Sequence, residues 1–308
     1  GYFALSELSS GAYNTVVGYK AGLLATTSSS NTALGYEAFA MAGHDTVSNQ
    51  NTCIGYKSGR SLGTGNSAHN NTLVGFDSGT AITIGDNNVA VGSSAGVAIT
   101  TGSDNIAIGK AAFDANTVGV ETIAIGTNAL GTANENDNDG SIAIGHNALA
   151  VQAGTGGAQF ANANIGIGHS AGVAITTGPR NTAIGYEAGK TMTTSTGNTL
   201  IGYQCGRSLS QSYNAAVGSE VFYTASSAAH NAGMGYQTGY YLTTGDYNVA
   251  MGSNAMLFNQ TGSNNTCLGY AAGYGATGNS FSNNTLIGAN AADAITTGSS
   301  NVIMGTNA

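Results

Sequence analysis

The sequence predicts an all-β fold, a parallel β-solenoid (β-roll) of about 17 coils, and three observations support this fold class. A motif of the form Asn-x-x-(Ile/Val/Leu/Met)-Gly-x-x-Ala recurs along the whole chain of 308 residues. Successive motif glycines are most often 17 residues apart. The composition, with 48 Gly, one Pro and no Trp, departs from that of ordinary globular domains. A fixed period of this length is the signature of stacked structural repeats.

The motif glycine occurs seventeen times, with steps of 16 to 23 residues between copies. Steps other than 17 are almost all longer, so they indicate insertions. The pattern has no break, and we expect one continuous domain over residues 1–308, a processed chain or a fragment of a longer fibre protein. The motif glycines are Gly18, Gly35, Gly55, Gly75, Gly92, Gly109, Gly126, Gly145, Gly168, Gly185, Gly202, Gly218, Gly235, Gly252, Gly269, Gly288 and Gly305.

Each motif copy predicts a short strand that ends just before the glycine. The residue before the glycine is apolar in every copy, and the residue two positions earlier is Thr, Val, Ile or Ala. A mostly small residue lies between them, as Ala183 does between Thr182 and Ile184. This alternation is typical of a strand. One face then carries the larger apolar groups, and the other carries Ala and Gly, which allow a neighbouring backbone to come close.

A second strand is predicted in the less regular part of each repeat. Residues 98–102, 174–178 and 294–298 all read Ala-Ile-Thr-Thr-Gly, a β-branched run closed by a turn residue. Stacked coils would form parallel ladders about 4.8 Å apart. The motif Asn, present in fifteen copies, would form a ladder whose role we expect to be structural.

A coil of this size cannot bury much apolar surface by itself, because it must order 17 residues with only a few large apolar side chains. The Ala/Gly face is suited to packing against other copies of the chain. We therefore expect an oligomer, a homotrimer in which the coils are packed or intertwined.

Three units carry a family resemblance: Asn88-Val-Ala-Val-Gly92, Asn105-Ile-Ala-Ile-Gly109 and Asn181-Thr-Ala-Ile-Gly185. They resemble the coils of YadA-type trimeric autotransporter heads and of tail-fibre-like proteins of phages and bacteria. The resemblance covers nearly the whole chain and implies a trimeric, left-handed parallel β-roll used as a fibre or adhesive head. The period of 17 is longer than in those heads, and the inserts are many. The choice between autotransporter and phage fibre stays open.

Charge and local motifs disfavour several functional classes. A net charge of −8 with seven Lys plus Arg disfavours binding to nucleic acid or to anionic lipid. No apolar run approaches the roughly 18 residues of a membrane span. Because no nucleophile or phosphate-binding signature is evident, we expect neither an enzyme nor a cofactor. Cys53, Cys205 and Cys267 are expected to replace small buried residues.

One weak metal site is predicted. Glu135, Asp137 and Asp139 precede Gly140 at alternate positions, as in half of a calcium loop. A complete loop of that type needs a Glu six residues after the glycine, where this chain has His146. The alternative is a solvated acidic turn.

Two groups of residues are candidates for receptor contact. Tyrosines directly after the motif glycine could stack on sugar rings or, alternatively, cover the seam between coils. Inserts at residues 41–50, 62–70, 131–140, 151–163 and 274–283 are further candidates, since loops carry function on rigid scaffolds. The candidate residues are Gln152, Gln159 and Phe160 in the longest insert, and Tyr186, Tyr203, Tyr236 and Tyr270 after motif glycines.

These features predict a non-enzymatic surface fibre, a phage tail fibre or a bacterial adhesin shaft or head, located outside the cell or on a virion. It would bind a glycan or protein receptor through many weak contacts. One alternative is a structural filament or matrix subunit that polymerises through exposed coil edges. Another is an ice-binding solenoid that uses the Ile-Thr-Thr segments as a flat threonine ladder.

Overall fold

The computed structural model describes residues 1–40, 47–64, 67–132, 139–152, 163–278 and 280–308. Two compact units are present, Gly1–Ala163 and Asn164–Ala308. In each unit every coil contributes one three-residue strand, and the described part of the chain contains no helix. Accordingly, no described segment forms a helix long and apolar enough to cross a membrane. The predicted all-β parallel solenoid is confirmed.

The strands pair in parallel, and each strand residue lies opposite the residue at the same motif position in the neighbouring coil. Ala107, for example, lies opposite Ala90 on one side and Ala124 on the other. The first unit contains β1 (Thr15–Val17), β2 (Thr32–Leu34), β3 (Thr52–Ile54), β4 (Thr72–Val74), β5 (Val89–Val91), β6 (Ile106–Ile108), β7 (Ile123–Ile125) and β8 (Ile142–Ile144). The second contains β9 (Ile165–Ile167), β10 (Thr182–Ile184), β11 (Thr199–Ile201), β12 (Ala215–Val217), β13 (Ala232–Met234), β14 (Val249–Met251), β15 (Thr266–Leu268), β16 (Thr285–Ile287) and β17 (Val302–Met304).

The two strand faces differ as predicted, but the expectation that the Ala/Gly face packs against another copy of the chain was wrong. The small middle residue points into the coil and is buried in β2 to β16, as Ala107 is in β6. The first and third residues, such as Ile106 and Ile108, lie on the outside and stay partly exposed. The coil is narrow, so small side chains predominate at this inner position, although Leu73, Leu200 and Leu286 are also buried there. The Ala/Gly face therefore cannot be the surface that packs against another copy.

The predicted second strand is absent from the described residues. Residues 98–102, 174–178 and 294–298 form turns and bends. The amides of Thr100 and Thr101 both donate to the carbonyl oxygen of Thr117, at 2.7 and 3.1 Å. Two successive donors on one acceptor break the regular alternation of a parallel ladder. The coils still hydrogen-bond on this side, but without strand geometry.

In most coils a large side chain from one of two positions fills the interior. In one arrangement the fourth residue after the motif glycine is also Gly and the seventh is large, as with Gly96 and Ile99. A Cβ atom on Gly96 would lie 2.8 Å from Cδ1 of Ile99. In the other arrangement the fourth residue is large and the seventh is small or polar, as with Phe113 and Asn116.

The motif glycine is required by the approach of the next coil. Gly185 has a φ of +131°, and a Cβ there would lie 2.3 Å from the carbonyl oxygen of Gly202. Both the backbone conformation and the space exclude other residues. Equivalent glycines meet in the same way along each unit.

The predicted asparagine ladder is confirmed and is buried. Asn88 donates through Nδ2 to Oδ1 of Asn71 at 3.1 Å and to the carbonyl oxygen of Gly102 at 2.9 Å. Its own Oδ1 accepts from the backbone and side-chain nitrogens of Asn105, at 3.1 and 3.0 Å. Since buried amides must be satisfied, this ladder supports the fold and is not available to a ligand. It runs through Asn14, Asn31, Asn51, Asn71, Asn88 and Asn105 in the first unit, and Asn164, Asn181, Asn198, Asn214, Asn231, Asn248, Asn265, Asn284 and Asn301 in the second.

Candidate functional site

The outer side of each strand presents a column of apolar residues, here called the outer apolar column. Its members are the third strand residues, which are Ile, Val, Leu or Met in every coil. Met234 is 51% exposed and Met251 is 43% exposed, with Val217 and Ile108 also counted among the exposed large apolar residues. Each coil therefore repeats the same apolar group on its surface, and an exposed apolar surface of this kind commonly marks an interaction site.

The residue after the motif glycine forms an aromatic column in the first unit. Tyr19, Tyr36, Tyr56 and Phe76 stack in sequence, and Tyr2, one period before Tyr19, extends the column, with ring centroids 5.0 to 6.2 Å apart. The rings are nearly parallel, so each inner ring has both faces against its neighbours. The stacking supports the interpretation that these rings cover the seam between neighbouring coils, and the inner ring faces are not available to stack on sugars.

The four candidate tyrosines of the second unit differ from one another. Tyr186 stacks on His169 at 5.2 Å and on Tyr203 at 5.5 Å, so both of its faces are covered. Tyr203 keeps one face without a ring partner. No ring among the described residues stacks on Tyr236 or Tyr270, which are 50% and 57% exposed. Open tyrosine faces in this unit therefore lie at Tyr203, Tyr236 and Tyr270.

A charged cluster lies next to Tyr186. The carboxylate of Glu187, nearly buried, accepts from Nζ of Lys190 at 2.6 Å, Nε of Arg207 at 2.9 Å and Nε2 of Gln204 at 3.0 Å. Hydrogen bonds from Arg207 and then Lys190 lower the pKa of Glu187 to about 2. Glu187 and Gln204 occupy the second position after successive motif glycines, so the cluster ties adjacent coils together.

The calcium prediction lies mostly outside the described residues, which include Asp139 but neither Glu135 nor Asp137. Asp139 accepts through Oδ1 from the backbone nitrogen of Val120 in the preceding coil, at 2.9 Å. Asp86 makes the equivalent contact to the backbone nitrogen of His69. Asp139 thus has a structural role at a register that sequence reasoning missed, six residues before the motif glycine. No group of three or more His, Cys, Asp or Glu that could hold a metal occurs within the described ranges.

Gln152 is not a receptor contact in this structure. It is fully buried, and its Nε2 donates to Oγ of Ser141 at 3.0 Å. Ser141 occupies the position of the motif Asn in its coil. The side-chain amide of Gln152 therefore lies beside the position where other coils have the asparagine amide. Gln159 and Phe160 lie outside the described residues.

The Ile-Thr-Thr threonines use their hydroxyls within the fold. Thr100 donates through Oγ1 to the carbonyl oxygen of Thr117 at 2.8 Å, and Thr176 donates equivalently to that of Thr193 at 3.1 Å. These hydroxyls serve coil contacts, which gives no support to a free threonine array for ice.

The three cysteines are free and buried, as expected for replacements of small core residues. Burial raises the pKa of Cys205 and Cys267 to about 12, and it raises that of Cys53 as well. Their thiols are therefore protonated at neutral pH and unsuited to act as nucleophiles.

An open cavity of about 230 Å³ lies beside Tyr270. Its lining combines aromatic, amide and carboxylate groups, of which the sequence analysis singled out Tyr270 and, as the start of the insert 274–283, Tyr274. The lining residues are Asn254, Tyr270, Ala271, Tyr274, Asn290 and Asp293.

Comparison with protein-family models, curated proteins and solved structures finds no match to this chain. The functional argument therefore depends on the surface itself: a regular apolar column, tyrosines with open faces, and one polar–aromatic cavity.

Proposed function

We propose that this chain is a non-enzymatic fibrous surface protein, a phage tail fibre or a bacterial adhesin shaft or head, that attaches to a cell surface. The supporting observation is the regular stack of coils, in which the outer apolar column gains one at least partly exposed Ile, Val, Leu or Met per coil and offers a surface on which copies can assemble into a fibre. A repeated surface suits binding by avidity, in which many weak identical contacts act together.

Self-association as a homotrimer forms part of the proposal. The first and third strand positions carry no charged residue in any coil, so two copies meet no charge repulsion there. A second copy also has the same coil spacing and can match the column coil by coil. The number three rests on the resemblance to trimeric autotransporter heads.

Light scattering tests self-association. The wild-type chain is expected to have the mass of three chains, and a double variant Ile108→Lys/Ile125→Lys the mass of one, because it places charge in the outer apolar column. Ser93→Lys, at an exposed site outside the strands, is the matched control and should keep the wild-type mass. A monomeric wild-type chain would contradict self-association, and a mass that grows with concentration would indicate an open filament instead.

Receptor contact is proposed at the tyrosines with open ring faces. Serine occupies the same register at Ser219 and Ser253, so Tyr203→Ser and Tyr236→Ser are compatible with the fold. The double variant is expected to bind a panel of bacterial cells and immobilised glycans more weakly than wild type. Tyr36→Ser, where both ring faces are covered, is the control and should bind normally. Wild-type protein that binds none of these surfaces would contradict the receptor role.

A further inference from the structure

The second position after the motif glycine forms a polar column on the surface, here called the outer amide column. Gln204 donates through Nε2 to Glu187 Oε2 at 3.0 Å, and Gln237 donates through Nε2 to Glu220 Oε2 at 2.8 Å. In both pairs the amide of one coil satisfies the oxygen of the preceding coil. The column of this unit includes Glu187, Gln204, Glu220, Gln237, Asn254, Ala271, Asn290 and Asn307.

The outer amide column is interrupted at Ala271. The donor lies in the later coil for Gln204 and Gln237 and in the earlier coil for Asn290, but alanine at position 271 can neither donate to Asn254 nor accept from it. Oδ1 of Asn254 is shielded from solvent and has no hydrogen-bond partner within the described part of the chain. A buried acceptor without a donor is unfavourable. The cavity lies at this interruption, with Asn254 and Ala271 both in its lining.

The remaining lining groups are arranged for a ligand that donates hydrogen bonds. Asn290, which also lines the cavity, donates through Nδ2 to Oδ1 of Asn307 at 3.0 Å. Asp293 adds an exposed carboxylate, and Tyr270 adds a ring that no other described ring covers. The cavity thus presents acceptors beside open aromatic surface, a combination that suits a ring with apolar C–H faces and hydroxyl donors.

We propose that this cavity binds one neutral sugar unit of a cell-surface glycan. One hydroxyl of the sugar donates to the carboxylate of Asp293, the sugar ring lies against Tyr270, and the small side chain of Ala271 leaves the space that the ring occupies. The volume of about 230 Å³ suits a single ring better than a large ligand. This inference rests on the proposed receptor role and assigns it a site and a ligand class.

The variant Ala271→Asn tests the site by filling it. Residue 271 has a φ of +51°, a conformation that asparagine adopts more readily than alanine. The new amide should donate to Asn254, raise Tm, and weaken binding of methyl glycosides of neutral hexoses by about tenfold or more. Ala111→Asn is the matched control, because Ala111 occupies the same register with the same φ of +51°. It should leave sugar binding unchanged.

Binding of these glycosides is measured by titration calorimetry and NMR shift mapping. The proteins compared are wild type, Ala271→Asn, Ala111→Asn and Asp293→Asn. Loss of binding in Ala271→Asn and Asp293→Asn alone supports the site. Undiminished binding in Ala271→Asn overturns it, as does a cavity that binds butylammonium and no sugar. If wild-type protein adheres to cells but binds no glycoside, the sugar site falls and the receptor role stands. If it adheres to no surface, both fall.

Discussion

Glu187 shows how a single carboxylate can connect two coils. Its donors come from its own coil, through Lys190, and from the next, through Gln204 and Arg207. The side chains of Lys190 and Arg207 are about one-third exposed, at 34% and 30%, so solvent weakens the pairing. The carboxylate itself is nearly buried, which makes its ionised form depend on these partners.

Stability should therefore fall in acid in a way that depends on Glu187. Its pKa is about 2 in the folded chain, against an ordinary value of 4.5. Because the folded value is the lower one, the stabilisation is present above 4.5 and is lost as the pH falls towards 2. Urea unfolding of wild type and Glu187→Gln at pH 6 and at pH 3 should show a smaller acid loss in the variant. Glu121→Gln, at an exposed carboxylate, is the control, and an equal acid loss in wild type and Glu187→Gln would contradict the role of Glu187.

At the scale of the element, the strand could be predicted and the rest of the coil could not. Apolar residues at fixed offsets before the motif glycine place a strand at every copy, and the structure confirms each one. Alternation shows that two faces differ, but not which face is inside; Ala107 lies inside because the coil is narrow. The predicted second strand does not form because the amides of Thr100 and Thr101 share one acceptor. No sequence pattern indicates this sharing.

The candidate site was less accessible to sequence reasoning. Tyr270 could be singled out from its register, but its open faces depend on Ser253 and Ala289 in the adjacent coils. The cavity depends on an alanine at position 271 between two asparagines of the same column. The sequence contains the relevant feature, an alanine at a position where neighbouring coils have amide side chains. It can be recognised only when the members of the outer amide column are aligned coil by coil.

The two ways of filling a coil interior lead to a prediction at Gly233. Gly233 is the middle residue of β13, where Ala is the commonest residue among the coils, and its φ is not in the positive region that requires glycine. A Cβ there would lie 2.6 Å from Cζ of Phe222 and 2.8 Å from Cγ1 of Val221. Gly233→Ala should therefore destabilise the chain, whereas alanine at an unobstructed strand position would stabilise it by roughly 0.5–1 kcal/mol.

A double-mutant cycle measures that contact. Phe222→Leu removes the ring, so Gly233→Ala should cost much less in that background, with a coupling energy of about 1 kcal/mol or more from urea unfolding. Gly233→Ala in the Met256→Leu background is a control, because Met256 fills the interior of a later coil. Additive effects of Gly233→Ala and Phe222→Leu would show that contact with the Phe222 ring is not the reason why alanine is unfavourable at position 233.

At the scale of the whole molecule, order comes from contacts between neighbouring coils. The hydrogen bonds of the strands, turns and asparagine ladder join residues that are mostly 16 to 20 positions apart. Few charges contribute, since the chain has seven Lys plus Arg and 15 Asp plus Glu. In repeat proteins of this type, stability is approximately a sum of repeat terms and nearest-neighbour terms.

The unit Asn164–Ala308 should consequently fold without residues 1–163. It contains nine paired strands, β9 to β17, and its own asparagine ladder from Asn164 to Asn301. Circular dichroism of this fragment should show β structure with a cooperative thermal transition, and hydrogen exchange should protect the amides of ladder residues such as Asn231 and Asn248. Fragments that begin at residue 181 and at residue 198 remove one and two further coils and should melt at progressively lower temperatures, because each loses a nearest-neighbour interface. A fragment 164–308 that is unfolded while the full chain is folded would show that stability depends on contacts beyond neighbouring coils of this unit.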